Sequence, residues 1–258
     1  MASTRLAPCR TLLQHSVPSV VWFEDAIGRY GVPTVVFDLH LLVPDINLAH
    51  SILCREGWVP VEPEPLSYLA STRSLGFRRL LAPPIERPPS LTDEPIWPPP
   101  PPDAQPRSER VATVLFEAVE WGVTVDILTN ASDVTFLPPL PIVIDALIDA
   151  LLDAPLESGL RWQVATMMAY LYEHASELKD RKFANWLDPM HRQFHTDCVS
   201  GQMSCLWAIP FIRYERRVRD ATRRGEYEVW GREAVSTKEK VHLVRRKSFG
   251  GWPGKKME

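Results

Sequence analysis

Apolar positions in the first 60 residues fall into short runs of strand character separated by stretches of helical spacing. Val17-Pro18-Ser19-Val20-Val21-Trp22-Phe23 is β-branched and aromatic, and too short for a stable helix, so it predicts a buried strand. Residues 24–30 predict a brief helix stopped by Gly31, with Pro33 two residues on. The strongest strand signal is residues 34–43, an apolar run ended by Pro44 whose only polar interior residues are Asp38 and His40. Asp45 reads as the N-cap of a helix to about Glu56, with Ile46, Ala49, Ile52 and Leu53 as its apolar stripe and Gly57 as its stop. Residues 58–61, 76–81, 111–115 and 123–128 are further strand candidates, the last two parted by Trp121-Gly122.

Beyond Pro138 the spacing becomes helical. Residues 142–152 set Asp145 and Asp149, and Asp153 one turn on, along one face; Ile144, Leu147, Ile148, Leu151 and Leu152 lie opposite. The aspartates thus read as the wet side of an amphipathic helix. Three more helices are predicted, over 162–179, from Asp188-Pro189 through His195, and over 213–224. The sum is an α+β fold: a small mixed sheet with flanking helices in residues 1–137, a helical region in 138–224 and a basic tail in 225–258.

Proline changes this picture locally. Of 25 prolines, 11 lie between Pro83 and Pro106, and Pro98 to Pro102 are consecutive, which favours an extended polyproline II segment that cannot join a sheet interior. The tract reads as a semi-rigid loop inserted between candidate strands; a docking ligand for an SH3- or WW-type protein partner is the functional alternative.

Charge narrows the partners. The net charge is −3, from 29 Lys+Arg and 32 Asp+Glu. Residues 213–258 hold 14 basic and 7 acidic side chains, so the remainder holds 15 and 25. Acids interleave with bases along the tail, and nucleic acid is therefore not the expected partner. No secretory signal and no run of about 18 apolar residues is visible, so a cytoplasmic or nuclear protein that does not enter a membrane is expected. Its four cysteines are expected as free thiols.

Candidate chemistry centres on the strand around Asp38. Side chains alternate across a strand, so Asp38 and His40 project from one face. An Asp-x-Asp pair on a strand suits Mg²⁺-dependent nucleotidyl transfer, because the hard cation takes carboxylate oxygens and bridges them to a triphosphate. Here a histidine holds the second position.

The block from Val20 to Asp45, together with Phe136-Leu137-Pro138-Pro139-Leu140-Pro141 and Met190-His191-Arg192-Gln193-Phe194-His195, resembles fungal proteins related to the nucleotidyltransferase superfamily. That resemblance implies a nucleotidyltransferase-like sheet. In active members a Gly-Ser or Gly-Gly pair after the first strand opens a helix whose amides receive the triphosphate. Trp22, Phe23, Glu24 and Asp25 stand there instead. On an active reading, Asp38 and Asp126 ligate Mg²⁺, His40 is a nitrogen ligand or general base, and Glu24 or Asp25 replaces a missing acid at the cofactor site. On a degenerate reading, the resemblance implies a module that binds a nucleotide or a protein without efficient transfer, and this reading is preferred. Interaction through the proline tract alone is a third class.

A second constellation is His191, His195 and Cys198, with Cys205 seven residues further. On a continuous helix the first three could share a face as zinc ligands; the alternative is histidines that cap, pack or pair with Asp188 and Asp197. Trp162, Tyr170, Tyr172, Trp186 and Trp207 could line a ligand cleft or belong to the core. No phosphate-binding P-loop, G-x-S-x-G elbow or dinucleotide fingerprint is present.

Overall fold

A computed structural model describes residues 4–34, 38–61, 77–81, 112–125, 136–180 and 182–227. Five strands form one mixed sheet: β1 Val20–Trp22, β2 Leu39–Val43, β3 Val59–Pro60, β4 Phe77–Leu81 and β5 Ala112–Glu117. Their order is β1-β2-β5-β4-β3, with β2 and β5 parallel and every other pair antiparallel. The helices described are α1 Ala7–Gln14, α2 Phe23–Gly28, α3 Ile46–Arg55, α4 Leu140–Asp153, α5 Gly159–His174, α6 Arg192–Val199 and α7 Ile209–Arg223. The α+β class expected from the sequence is the one observed.

Local chemistry accounts for the boundaries. The Asp45 carboxylate accepts hydrogen bonds from the Asn47 and Leu48 amides and so caps α3, whose opening N–H groups have no partner within the helix. Gly31 and Gly57, at φ +84° and +94°, follow α2 and α3 in the left-handed conformation that other residues resist. Strand β2 is buried along its whole length, because helices cover both faces of the sheet, so it reads as an apolar run broken only by His40 rather than as an alternating one.

Against one face, Val21, Leu39, Leu41, Leu80 and Leu115 pack on Cys9 and Leu12 of α1 and on Ala49, Ile52 and Leu53 of α3. Against the other, Trp22, Leu42, Val114 and Phe116 belong to a cluster that continues through Ile144 and Leu147 of α4 and Val164 and Met168 of α5. One core therefore draws on both the sheet and the helical region. Phe136 packs with the first cluster and Leu140 with the second, so the Phe136–Pro141 block joins the two.

Several elements differ from expectation. Helix α1 was not among the expected elements; its Pro8 occupies the first turn, where a missing N–H costs nothing. The strand expected over 34–43 begins only at Leu39, with 35–37 outside the described residues and Asp38 in a bend before it. No strand forms at 123–125, and the rest of that expected strand, Asp126 included, lies outside the described residues. The helix expected over 162–179 starts earlier and ends at His174, a 3-10 turn Ser176–Lys179 following it. The helix expected to start at Asp188-Pro189 begins at Arg192.

The proline tract 83–106 and most of the tail, 228–258, also fall outside the described residues. The strands flanking the tract are informative, since Leu81 of β4 pairs with Ala112 of β5. The end of β4 and the start of β5 are thus adjacent. All four cysteines are free. Among the described residues no helix is long and apolar enough to cross a membrane.

Candidate functional site

The turn from β1 into α2 is built from large rings. Trp22 closes the strand, and Phe23 opens the helix at φ +52°, a left-handed conformation that costs a bulky residue about 1–3 kcal/mol. Ring packing offsets that strain. The Phe23 ring meets His40, Phe116 and Trp121 edge-on at centroid distances of 5.1, 5.7 and 5.1 Å, and Trp22 meets Trp121 at 5.5 Å. Such pairs contribute about 0.5–1.5 kcal/mol each beyond the area they bury. Both side chains are core, so the place where small residues would open a phosphate cradle is filled.

Glu24 and Asp25 follow in the first turn of α2. Asp25 takes a two-pronged ion pair from Arg5, Nε to Oδ1 and Nη2 to Oδ2, both at 2.6 Å. The same Arg5 Nη2 donates to the backbone carbonyl of Asp38 at 3.0 Å. The Asp38 carboxylate accepts from Nε of Arg79, on β4, at 3.1 Å. Strand register explains how β4 comes to serve β2: Trp22, His40, Val114 and Arg79 form one row across β1, β2, β5 and β4. Residues paired across neighbouring strands face the same side. His40 is 1% exposed, and its Nδ1 lies 3.3 Å from Oε2 of Glu24.

The structure therefore gathers Glu24, Asp25, Asp38 and His40 at one end of β2, and it brings Arg5 and Arg79 with them. A Mg²⁺ site needs about six oxygen ligands with free lone pairs. Here two of the three carboxylates are bound by guanidinium groups and the third abuts an imidazole. Of the two strands beside β2, β5 presents Val114 opposite His40, an apolar side chain with no oxygen to offer. Among the described residues no group of three or more His, Cys, Asp or Glu side chains is disposed to hold a metal ion. The described residues at this site do not fit Mg²⁺; Asp126, the other expected ligand, lies outside them.

The zinc constellation separates in the same way. His191 precedes α6 and turns toward α4, its Nδ1 2.7 Å from Asp145 and its Nε2 3.3 Å from Asp149. Burial alone would lower its pKa, but the hydrogen bonds and charges of Asp145 and Asp149 raise it to about 9. His195, one turn on, is buried against Phe183, with Nδ1 3.0 Å from the Tyr172 hydroxyl, and burial lowers its pKa to about 4. Burial also pushes the Cys198 thiol well above its usual value, which disfavours the thiolate that zinc requires. The three side chains do not form a ligand set.

Sequence reading missed the basic partners. Arg219, 4% exposed, joins α7 to α4 through Asp149 at 2.8 Å and Asp153 at 2.6 Å, so the presumed wet face of α4 is half covered. Although burial pulls the other way, His191 and Arg219 hold Asp149 below the usual carboxylate range. Arg79 carried a usable signal: alternation in β4 places it on the face of Phe77, which packs on Phe116. Arg5 carried none. Of the five aromatic residues, Tyr172 is core, Trp162, Tyr170 and Trp186 are exposed and Trp207 is half-buried, so they do not share one cleft. Comparison of the chain with protein-family models, with curated proteins and with solved structures gives no match.

Proposed function

We propose that the protein is a degenerate nucleotidyltransferase-like module that acts by binding and does not catalyse metal-dependent nucleotidyl transfer. The order β1, α2, β2, α3, with Asp38 at the entry to β2, supports the fold side of this reading. The Asp38–Arg79 ion pair carries the functional side, because it occupies the one acid that matches the first metal ligand of the pattern. A guanidinium on the carboxylate competes directly with a divalent cation for the same lone pairs. A protein is favoured over a nucleotide as the ligand, since the buried Trp22 and Phe23 rings fill the turn where small residues would let a triphosphate approach a helix start.

Calorimetric titration with ATP, GTP, CTP and UTP in Mg²⁺ or Mn²⁺, alongside an assay for nucleotide incorporation, tests this reading. The expected result is no saturable metal-dependent heat and no transfer. Metal-dependent binding that disappears in Asp38→Ala overturns it.

A further inference from the structure

We propose that a groove beside the end of α2 binds a basic peptide by taking in an arginine or lysine side chain. The groove has a volume of about 340 Å³ and is lined by Tyr30, Leu140, Glu177, Asp180, Phe183 and Trp186. Tyr30 follows α2, Leu140 opens α4, and the others come from the 3-10 turns Ser176–Lys179 and Phe183–Trp186 and the bend between them. That volume is near the lower end of ligand sites, about 300–1,000 Å³, which suits one inserted side chain. An open groove of this size suits a peptide better than an enclosed small molecule. The inference rests on the binding reading above and gives it a surface and a partner.

Three features converge on a cation. First, Trp186 is 74% exposed, a large aromatic surface left in water at the groove. Second, the Tyr30 hydroxyl donates to the Pro138 carbonyl, which fixes that ring in place before any ligand arrives. Third, the groove carries two carboxylates. Glu177 accepts from the Ser176 hydroxyl at 3.3 Å and Asp180 from the Lys182 amide at 2.8 Å. Among the described residues neither has a cationic side chain as partner, in contrast to Asp25, Asp38 and Asp149, each held by an arginine. Burial raises the pKa of Tyr30, Arg29 opposes that rise and Glu177 adds to it, so the Glu177 charge is felt at the ring. A guanidinium or ammonium entering here gains aromatic contact and charge-assisted hydrogen bonds together. An acidic peptide gains neither.

The full chain is titrated calorimetrically with a short capped arginine peptide, its lysine counterpart and its glutamate counterpart, at two salt concentrations. Saturable binding of the arginine or lysine peptide that weakens with salt is expected. Trp186→Ala, at an exposed position, should weaken it about tenfold. Glu177→Gln combined with Asp180→Asn should weaken it and remove the salt dependence, with circular dichroism confirming that each variant is folded. Any of three results overturns the proposal: no saturable binding of either basic peptide, equal binding of the glutamate peptide, or unchanged affinity in Trp186→Ala. None of these bears on the nucleotide titration, so the two readings fail separately.

Discussion

Aspartates near the end of β2 and aspartates along α4 both sit against arginines, yet the two regions are built differently. At the sheet, Asp25 and Asp38 are met by Arg5 and Arg79, which arrive from the N-terminal turn and from β4. Along α4, Asp145, Asp149 and Asp153 recur every fourth residue, and a single buried Arg219 on α7 and His191 before α6 lie across them. The sheet pairs have side chains about one-fifth exposed, within reach of solvent screening. The Arg219 side chain is nearly sealed. The same chemistry thus pairs separate acids at the sheet in one place and clamps helices together in the other, and the clamp is expected to carry more stability.

That difference predicts a hierarchy. Arg219→Ala should cost most, about 3 kcal/mol, because it exposes the acid row to its own repulsion and removes buried packing. Urea unfolding at pH 7 measures it. A loss no larger than that of Arg79→Ala would erase the distinction between the regions.

The pH profile comes next. His191 has a folded pKa of about 9 against an unfolded value of about 6.5, so its contribution is complete below pH 6.5 and is lost as pH rises through 9. His195 has the opposite sign. With a folded pKa of about 4, it favours the folded state above pH 6.5 and that advantage is lost as pH falls toward 4. Stability should peak near pH 6.5. The alkaline arm should fall by about 2 kcal/mol after discounting for the partly exposed aspartates, and His191→Gln should flatten that arm alone. An alkaline arm unchanged in His191→Gln would remove His191 from the clamp.

Smaller effects belong to the sheet. Removing residues 83–106 shortens a connection between strand ends that are already paired, and should stabilise the fold by about 1 kcal/mol through loop-closure entropy. Loss of cooperative unfolding would show instead that the tract supports β4 and, with it, Arg79. Asp38→Ala should cost least, about 0.5–1 kcal/mol by thermal or urea unfolding, as expected of a partly exposed pair. A loss near that of Arg219→Ala would place the sheet pair on a level with the clamp.

Periodicity and capping made much of the frame legible. Asp45 and Gly57 mark the ends of α3 where the structure has them, Gly31 lies beyond an α2 that already ends at Gly28, and the apolar run that includes β2 marks the sheet centre. Periodicity also found the Asp145, Asp149 and Asp153 face, but it cannot tell water from a docked helix: both suit carboxylates, and only tertiary packing brings Arg219 over them. The cluster of Glu24, Asp25, Asp38 and His40 was nameable from sequence as a set of acids and one imidazole. Its meaning was not, because the partners come from segments whose adjacency depends on strand order. Alternation along β4 puts Arg79 on the right face; only the order β2-β5-β4 puts it within reach of Asp38.

The central claim is that the sheet carboxylates are counter-ions and not metal ligands. Its most direct test is Mn²⁺ titration of the full chain followed by electron paramagnetic resonance, with Asp38→Ala and Arg79→Ala in parallel. No stoichiometric Mn²⁺ site is predicted in the natural protein, and none that depends on Asp38. One Mn²⁺ bound per chain in the natural protein and lost in Asp38→Ala would contradict the account.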